Sequence, residues 1–236
     1  MTEPHKIPLT GALIARAVAA KQVDIVKFIL HIYPSFSLSQ ALSIVNALLD
    51  NPDPAVLQVL CDHDPAFSSF SIDYHFQSFF TEACRRPPEK IVPVLHVLLD
   101  NGADLWDGFG PGAGALWAAL EGGQPIEIID KIVNKAGGEM ISRRNVSLAI
   151  QLGRADVVQL LLLKNHKLIR PGALNAEKVL EDAQKTANQK IITMVQTWML
   201  KRKVEEKRTG DAKGSTKKRW WKLWSVLNER LGHGVA

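Results

Sequence analysis

Blocks of apolar residues with helical spacing recur along the chain, each preceded by a shorter segment rich in Ala and Leu. Within a block the apolar residues fall at i, i+1, i+4 and i+5, which places them on one face of a helix. A helix cannot bury such a face alone, so each block needs neighbours to pack against. The blocks are Val23–Leu30, Ala55–Cys61, Val94–Leu99, Ile128–Val133, Val157–Leu163 and Ile191–Val195.

Equivalent positions in the six blocks are separated by similar distances along the sequence. The steps are 31, 38, 34, 29 and 34 residues, and their mean of about 33 is the period of helix-pair solenoids. No alternation of Val, Ile and Thr with period two indicates a substantial sheet. The pattern therefore predicts an all-α fold of stacked helix pairs. The positions taken as equivalent are Ile25, Val56, Val94, Ile128, Val157 and Ile191.

Several segments resemble the ankyrin repeat family. Leu148–Gly153 and Ala155–Leu163 read LAIQLG and ADVVQLLLL, similar to the family's LAAxxG and xEIVxLLL. Leu98–Asp104 reads LLDNGAD, similar to LLExGAD. The Ala17–Leu30 segment matches the outer-helix half, with Lys21 where the family usually has Gly. The family's TPLH opening is intact nowhere, and the aromatic and Gly signature of the competing tetratricopeptide repeat is absent.

The resemblance covers roughly residues 8–200 and implies five helix pairs followed by a sixth, atypical closing pair. We therefore expect one ankyrin-like solenoid domain over residues 8–203. Gly closes helices well because it adopts the left-handed conformation without strain. Gly102, Gly123 and Gly153 are expected in that role.

Charge separates the last 36 residues from the rest. The chain carries a net charge of +5. Residues 201–236 contain eleven Lys or Arg against four Asp or Glu, a net +7, which leaves −2 for residues 1–200. Any charge-driven contact therefore belongs to the tail, and the near-neutral body argues against nucleic-acid binding.

The N-terminus has no apolar segment of the kind that signal peptides carry, and no stretch approaches 18 uncharged apolar residues. Cys61 and Cys84 each end an apolar helical run and are expected to be buried thiols rather than a disulfide framework. These features predict an intracellular protein, cytoplasmic or nuclear.

Two segments contain residue types found in metal sites or phosphate-binding loops. Asp62–Asp64 beside Cys61 offers potential metal ligands, but adjacent residues rarely converge on one ion. Gly108–Gly114 is rich in glycine but lacks the preceding strand and the Lys-Ser/Thr that a phosphate-binding loop requires. We expect a polar turn and a flexible connection, and we predict no enzyme activity, no cofactor and no metal.

Aromatic residues indicate where a partner protein would bind. Phe76 and Phe79 lie on a predicted inner helix, Trp117 lies on the next one, and Trp106 and Phe109 lie in the connection between them. In the ankyrin family the inner helices and connection tips form the concave face that contacts partners, so the resemblance implies a binding surface here. A Phe stripe at helical spacing is also typical of a core.

The C-terminal region changes in composition. Residues 204–218 read as a flexible basic linker and 219–231 as an amphipathic helix. Its apolar side is expected to include Trp220, Trp224, Leu227 and Leu231, with Trp221 near the basic end. Three interpretations stay open: a cap that folds back on the solenoid, docking into a partner groove, and weak contact with an anionic membrane.

Overall fold

A computed structural model describes residues 6–38, 41–72, 77–106, 114–137, 140–168 and 174–204. These residues are helical apart from turns, short connections and one isolated bridge between Ser71 and Ser78, and they contain no strand. The predicted all-α class is thereby confirmed for this part of the chain. The helices are α1 (Lys6–Ala19), α2 (Val23–Ile32), α3 (Leu42–Asp50), α4 (Pro54–His63), the 3₁₀ helix η1 (Pro65–Ser69), α5 (Phe79–Cys84), α6 (Pro88–Asp100), α7 (Ala115–Glu121), α8 (Ile126–Ala136), α9 (Arg143–Gln151), α10 (Ala155–Leu168), α11 (Ala176–Lys185) and α12 (189–204).

The chain divides into two compact units, Met1–Asn175 and Ala176–Ala236. In the first unit consecutive helices pair, because α1 packs on α2, α5 on α6, α7 on α8 and α9 on α10. Pairs also contact their neighbours through like helices. The first helix of a pair packs on the next first helix (α1 on α3, α5 on α7, α7 on α9), and the second helices follow the same rule from α2 through α10. We call these two sets the inner and outer helices.

Side-chain caps fix where several helices begin. Asp53 accepts hydrogen bonds from the backbone N–H groups of Ala55 and Val56, with Pro54 in the first helical position of α4. Ser78 caps α5 and Ser142 caps α9 through bonds from the N–H groups three residues later. Such caps satisfy donors that a helix N-terminus leaves free.

Left-handed residues fix where others end. Gly102, Gly123 and Gly153 have φ values of 81°, 67° and 69°, which confirms their expected closing role. Lys21 has φ 55° at the end of α1, so it adopts the conformation that the glycines adopt elsewhere.

The apolar blocks of the sequence supply the outer helices. Val56, Val94, Ile128 and Val157 are fully buried, as a stripe packed between neighbouring helices requires. Ile25 is 49% exposed although its sequence position is equivalent. Ile25 differs from its equivalents because, among the described helices, α2 is the first of the outer helices and no described outer helix precedes it.

The second unit contains α11 and α12. Val179 and Ala183 of α11 and Ile191 and Val195 of α12 are buried. Asn188 begins α12 by accepting a hydrogen bond from the Ile191 N–H (3.3 Å). The described part of the chain ends with α12 at residue 204, so the predicted linker and amphipathic helix over 204–218 and 219–231 lie outside it, apart from residue 204.

Candidate interaction surface

Trp106 is the most exposed of the predicted partner-binding residues that the structure describes. It lies beyond α6, where Gly102 turns the chain and the Ala103 N–H bonds the Leu98 carbonyl (3.0 Å). Leu105 is buried at 6% exposure, whereas the neighbouring Trp106 is 53% exposed. The segment is therefore anchored by one side chain and presents the next to solvent.

A chain of hydrogen bonds holds the backbone beside Trp106. The Trp106 N–H donates to Asp104 Oδ1 (2.9 Å), and the Asp104 N–H donates to Ser69 Oγ (3.1 Å). The Ser69 hydroxyl in turn donates to the carbonyl of Gly102 (3.3 Å). An Asp that accepts from the N–H two residues on forms an Asx turn, which restricts the backbone locally. Trp106 is thus exposed on a locally ordered segment.

Trp117 lies near the same segment. Its helix α7 begins at Ala115, whose N–H reaches the carbonyl of Leu105 (3.4 Å). This bond joins the backbone immediately before Trp106 to the backbone two residues before Trp117. Trp117 is half-buried on the inner helix α7 and is therefore less exposed than Trp106.

The expectation that Phe79 contributes to a surface is wrong. Phe79 is fully buried, and its ring centroid lies 5.9 Å from that of Phe67, which is itself 6.0 Å from Phe70. Tilted rings at this separation are a normal core arrangement. Phe79 packs inward because η1 carries Phe67 against it, and Phe70, directly after η1, packs on Phe67 in turn.

The other predicted binding residues lie outside the described residues. Phe76 and Phe109 fall in the intervals 73–76 and 107–113. The tail residues Trp220, Trp221, Trp224, Leu227 and Leu231 follow residue 204. The described candidate surface therefore consists of Trp106 and Trp117.

An ion pair joins α7, the helix of Trp117, to the end of α5, and no pattern in the sequence indicated it. Glu121 lies one turn after Trp117 on α7, and its carboxylate is 3.7 Å from Arg85 Nε. Arg85 also contacts Glu82 on α5 at 3.3 Å. These side chains are 28–45% exposed, so the pairs add little stability. Because residues four apart share a helix face, Glu121 lies on the same side of α7 as Trp117.

The cluster around Cys61 has structural partners. Asp62 accepts from Gln58 (2.7 Å), His63 Nε2 lies 2.9 Å from the Phe36 carbonyl, and Asp64 accepts from the N–H groups of Leu38 and Ala66. Burial, with smaller contributions from Asp62 and Asp64, raises the pKa of the Cys61 thiol to about 12. A thiol with so high a pKa is a poor nucleophile at neutral pH.

Within the described ranges, no group of three or more His, Cys, Asp and Glu is arranged to hold a metal ion. No helix in that part of the chain has the length and apolar character needed to cross a membrane. A comparison of the chain with protein-family models and with curated proteins finds no match.

Proposed function

We propose that the helix pairs form an ankyrin-like solenoid that acts as a non-catalytic scaffold for binding another protein. The observation that carries the proposal is the exposed Trp106 on a hydrogen-bonded segment next to the inner helix α7. Repetition of the same local structure from pair to pair supports the solenoid. A surface of side chains held by a repeated framework is the usual binding site of such folds.

The turn from inner to outer helix repeats in three pairs. In each, a left-handed residue is followed by an N–H that bonds the carbonyl five residues earlier, a Schellman closure. The distances are 2.9 Å from Gln22 to Ala17, 2.9 Å from Gln124 to Ala119 and 3.0 Å from Arg154 to Ala149. This recurrence supports a shared repeat despite the irregular spacing of the sequence.

The same turns are joined across pairs. The Arg154 guanidinium donates to the backbone carbonyl of Gln124 (3.1 Å). The Gln124 side-chain amide donates to the carbonyls of Cys84 (2.8 Å) and Arg86 (2.9 Å) at the end of α5. The fifth pair thus satisfies a polar group of the fourth, and the fourth satisfies two of the third, as expected of a linear stack.

The proposed partner site is the concave face around Trp106 and Trp117, extended by Phe109 and Phe76. Tryptophan dominates binding energy at many interfaces because it offers a large contact area at a small cost in rotamer freedom. The ordered backbone beside Trp106 lowers that cost further. The Glu121–Arg85 pair would form part of a polar rim of the kind common at protein interfaces.

Site-specific photo-crosslinking tests this surface. A photoreactive amino acid at position 106 of the full chain, in cells that naturally produce the protein, is expected to give one dominant protein adduct. Trp106→Ala should weaken the affinity for the crosslinked protein about 30-fold, the effect of losing an interaction worth ~2 kcal/mol at a hot spot. Position 163 is the control, because Leu163 is similarly exposed (52%) on an outer helix. Equal adducts at 106 and 163, or none at 106, would contradict the proposal.

A second proposal concerns the tail and rests on its sequence alone. With helical spacing, Trp220, Trp224, Leu227 and Leu231 would share one side of a cationic amphipathic helix, a pattern typical of interfacial helices. Flotation of the full chain with anionic vesicles is expected, with little flotation on neutral ones. Trp220→Glu with Trp224→Glu should abolish it, and a wild-type chain that floats with neither vesicle would rule out membrane anchoring.

A further inference from the structure

Each outer helix after the first uses one face to pack against the outer helix before it. α4 contacts α2, α6 contacts α4, α8 contacts α6 and α10 contacts α8. We call this the leading face. Its first apolar position is 0% exposed in all four helices, at Val56, Val94, Ile128 and Val157.

Seven residues after that apolar position, each of the four helices, or for α6 the residue directly after it, carries a polar side chain. That side chain reaches back to the preceding pair by a hydrogen bond. The contacts run from His63 to the Phe36 carbonyl (2.9 Å), from Asn101 to Gln58 (3.2 Å), from Lys135 to the Leu99 carbonyl (2.6 Å) and from Lys164 to Asn134 (2.5 Å).

On α2 the leading face is apolar and exposed. Ile25, Phe28 and Ile32 are 49%, 64% and 50% exposed, and they lie within about 60° of one another around the helix. Ile32 occupies the position where the later helices carry His, Asn or Lys. The end of a solenoid that meets water needs a polar outer face. The first pair therefore has the composition of an internal interface.

We propose that the leading face of α2 binds the same face of a second copy of the chain, forming a symmetric dimer with antiparallel α2 helices. The contact continues the outer-helix packing of α2 through α10 across a twofold axis. Self-complementary patches of this kind generate closed dimers, the commonest form of homo-oligomer.

Charge favours the antiparallel arrangement. Asp24 near the start of α2 and His31 near its end are both exposed and flank the same side of the apolar stripe. In an antiparallel pair Asp24 of one copy lies beside His31 of the other, and the twofold axis repeats the contact. In a parallel pair the twofold axis would place the two Asp24 residues on opposite sides of the interface, as it would the two His31 residues, so neither would gain an opposite charge from the other copy's α2 stripe flank.

Sedimentation velocity of the full chain measures the expected association. One helix face per copy is a small interface, so dissociation is expected between about 1 µM and about 300 µM. Across that range wild type should shift from the mass of one 236-residue chain to twice that mass. The Phe28→Asp variant should remain monomeric at every concentration in this range, whereas the Leu163→Asp variant should associate like the wild type. Circular dichroism checks that helicity is unchanged, as expected for substitutions at exposed positions.

Two charge variants test the orientation. His31→Glu places like charges together in the antiparallel dimer and should weaken association at least several-fold, whereas Asp24→Lys combined with His31→Glu should restore it. A wild-type chain that stays monomeric throughout would overturn the proposal and leave the face to a different protein. So would Phe28→Asp associating like wild type, or a double variant no better than His31→Glu alone.

Discussion

Lys21 occupies a backbone conformation that side chains other than Gly seldom adopt. Its φ of 55° matches the geometry of Gly123 and Gly153 at the ends of two other inner helices. The left-handed conformation brings Cβ close to the backbone and costs roughly 1 kcal/mol for most residues. The Schellman closure that follows, from Gln22 to Ala17, holds Lys21 there.

Replacing Lys21 with Gly should therefore stabilise the protein. We expect a gain of about 0.5–1 kcal/mol in the free energy of unfolding, because Gly adopts this φ without strain and its larger unfolded-state entropy offsets only part of the gain. Urea denaturation gives the value. The reciprocal change Gly153→Ala, at φ 69° with no atom within 4 Å of the added Cβ, should cost a similar amount. If Lys21→Gly is destabilising, the left-handed closure of α1 is incorrect.

Sequence patterns predicted single residues well where a local rule decides the outcome. Gly102, Gly123 and Gly153 were identifiable because a glycine after a helical block closes that helix. Lys21 could be placed only by its alignment with glycines in other blocks. The sites that depend on distant partners gave no such signal: Gln124 meets Cys84 across 40 residues, and nothing local marks either residue.

At the scale of helices, the approach between α5 and α7 depends on Gly122. A Cβ atom on Gly122 would lie 1.9 Å from the backbone carbonyl oxygen of Cys84, so no side chain fits without moving one helix. Leu152 follows α9 as Gly122 follows α7, and it is 47% exposed. The equivalent position after α9 thus accommodates a large side chain, so the close contact that excludes one at Gly122 is specific to the junction of α5 and α7.

Gly122→Ala should destabilise the first unit by about 1–3 kcal/mol, the usual cost of overpacking. Gly11→Ala is the matched control inside α1, where the added Cβ would meet only the Phe36 ring edge at 3.6 Å. That change should stabilise by roughly 0.5–1 kcal/mol, because Ala favours a helix interior. Equal effects of the two substitutions in thermal or urea unfolding would contradict the close approach.

Periodicity identified the outer helices but not the environment of every face. The spacing correctly predicted burial of Val94, Ile128 and Val157, and the same rule failed at Ile25 because burial depends on a preceding helix. Phe79 shows the opposite failure, since its exposure could not be judged without knowing that η1 places Phe67 beside it. A helical period specifies which residues share a face, and tertiary contacts decide what that face meets.

At the scale of the whole molecule, a stack of helix pairs implies that the stability of each pair depends on its neighbours. Within the first unit, inner and outer helices contact the adjacent pairs, and Gln124 joins the fourth pair to the third by two hydrogen bonds. Such a stack is held together by nearest-neighbour terms, so damage at one junction should be felt most by the pairs on either side. A single globular core would instead respond as one unit.

Amide hydrogen exchange on the Gln124→Ala variant tests this claim most directly, with Gln22→Ala as the control. The Gln124 side chain is fully buried, whereas the Gln22 side chain is exposed and donates to the Ala20 carbonyl two residues away (3.0 Å). Leaving two carbonyls unpaired should cost about 2 kcal/mol and speed exchange about 30-fold. We expect this loss of protection in α5 through α8 and little change in α1 and α2. Gln22→Ala should change exchange nowhere. A uniform loss across α1–α10 would contradict a stack of neighbouring helix pairs.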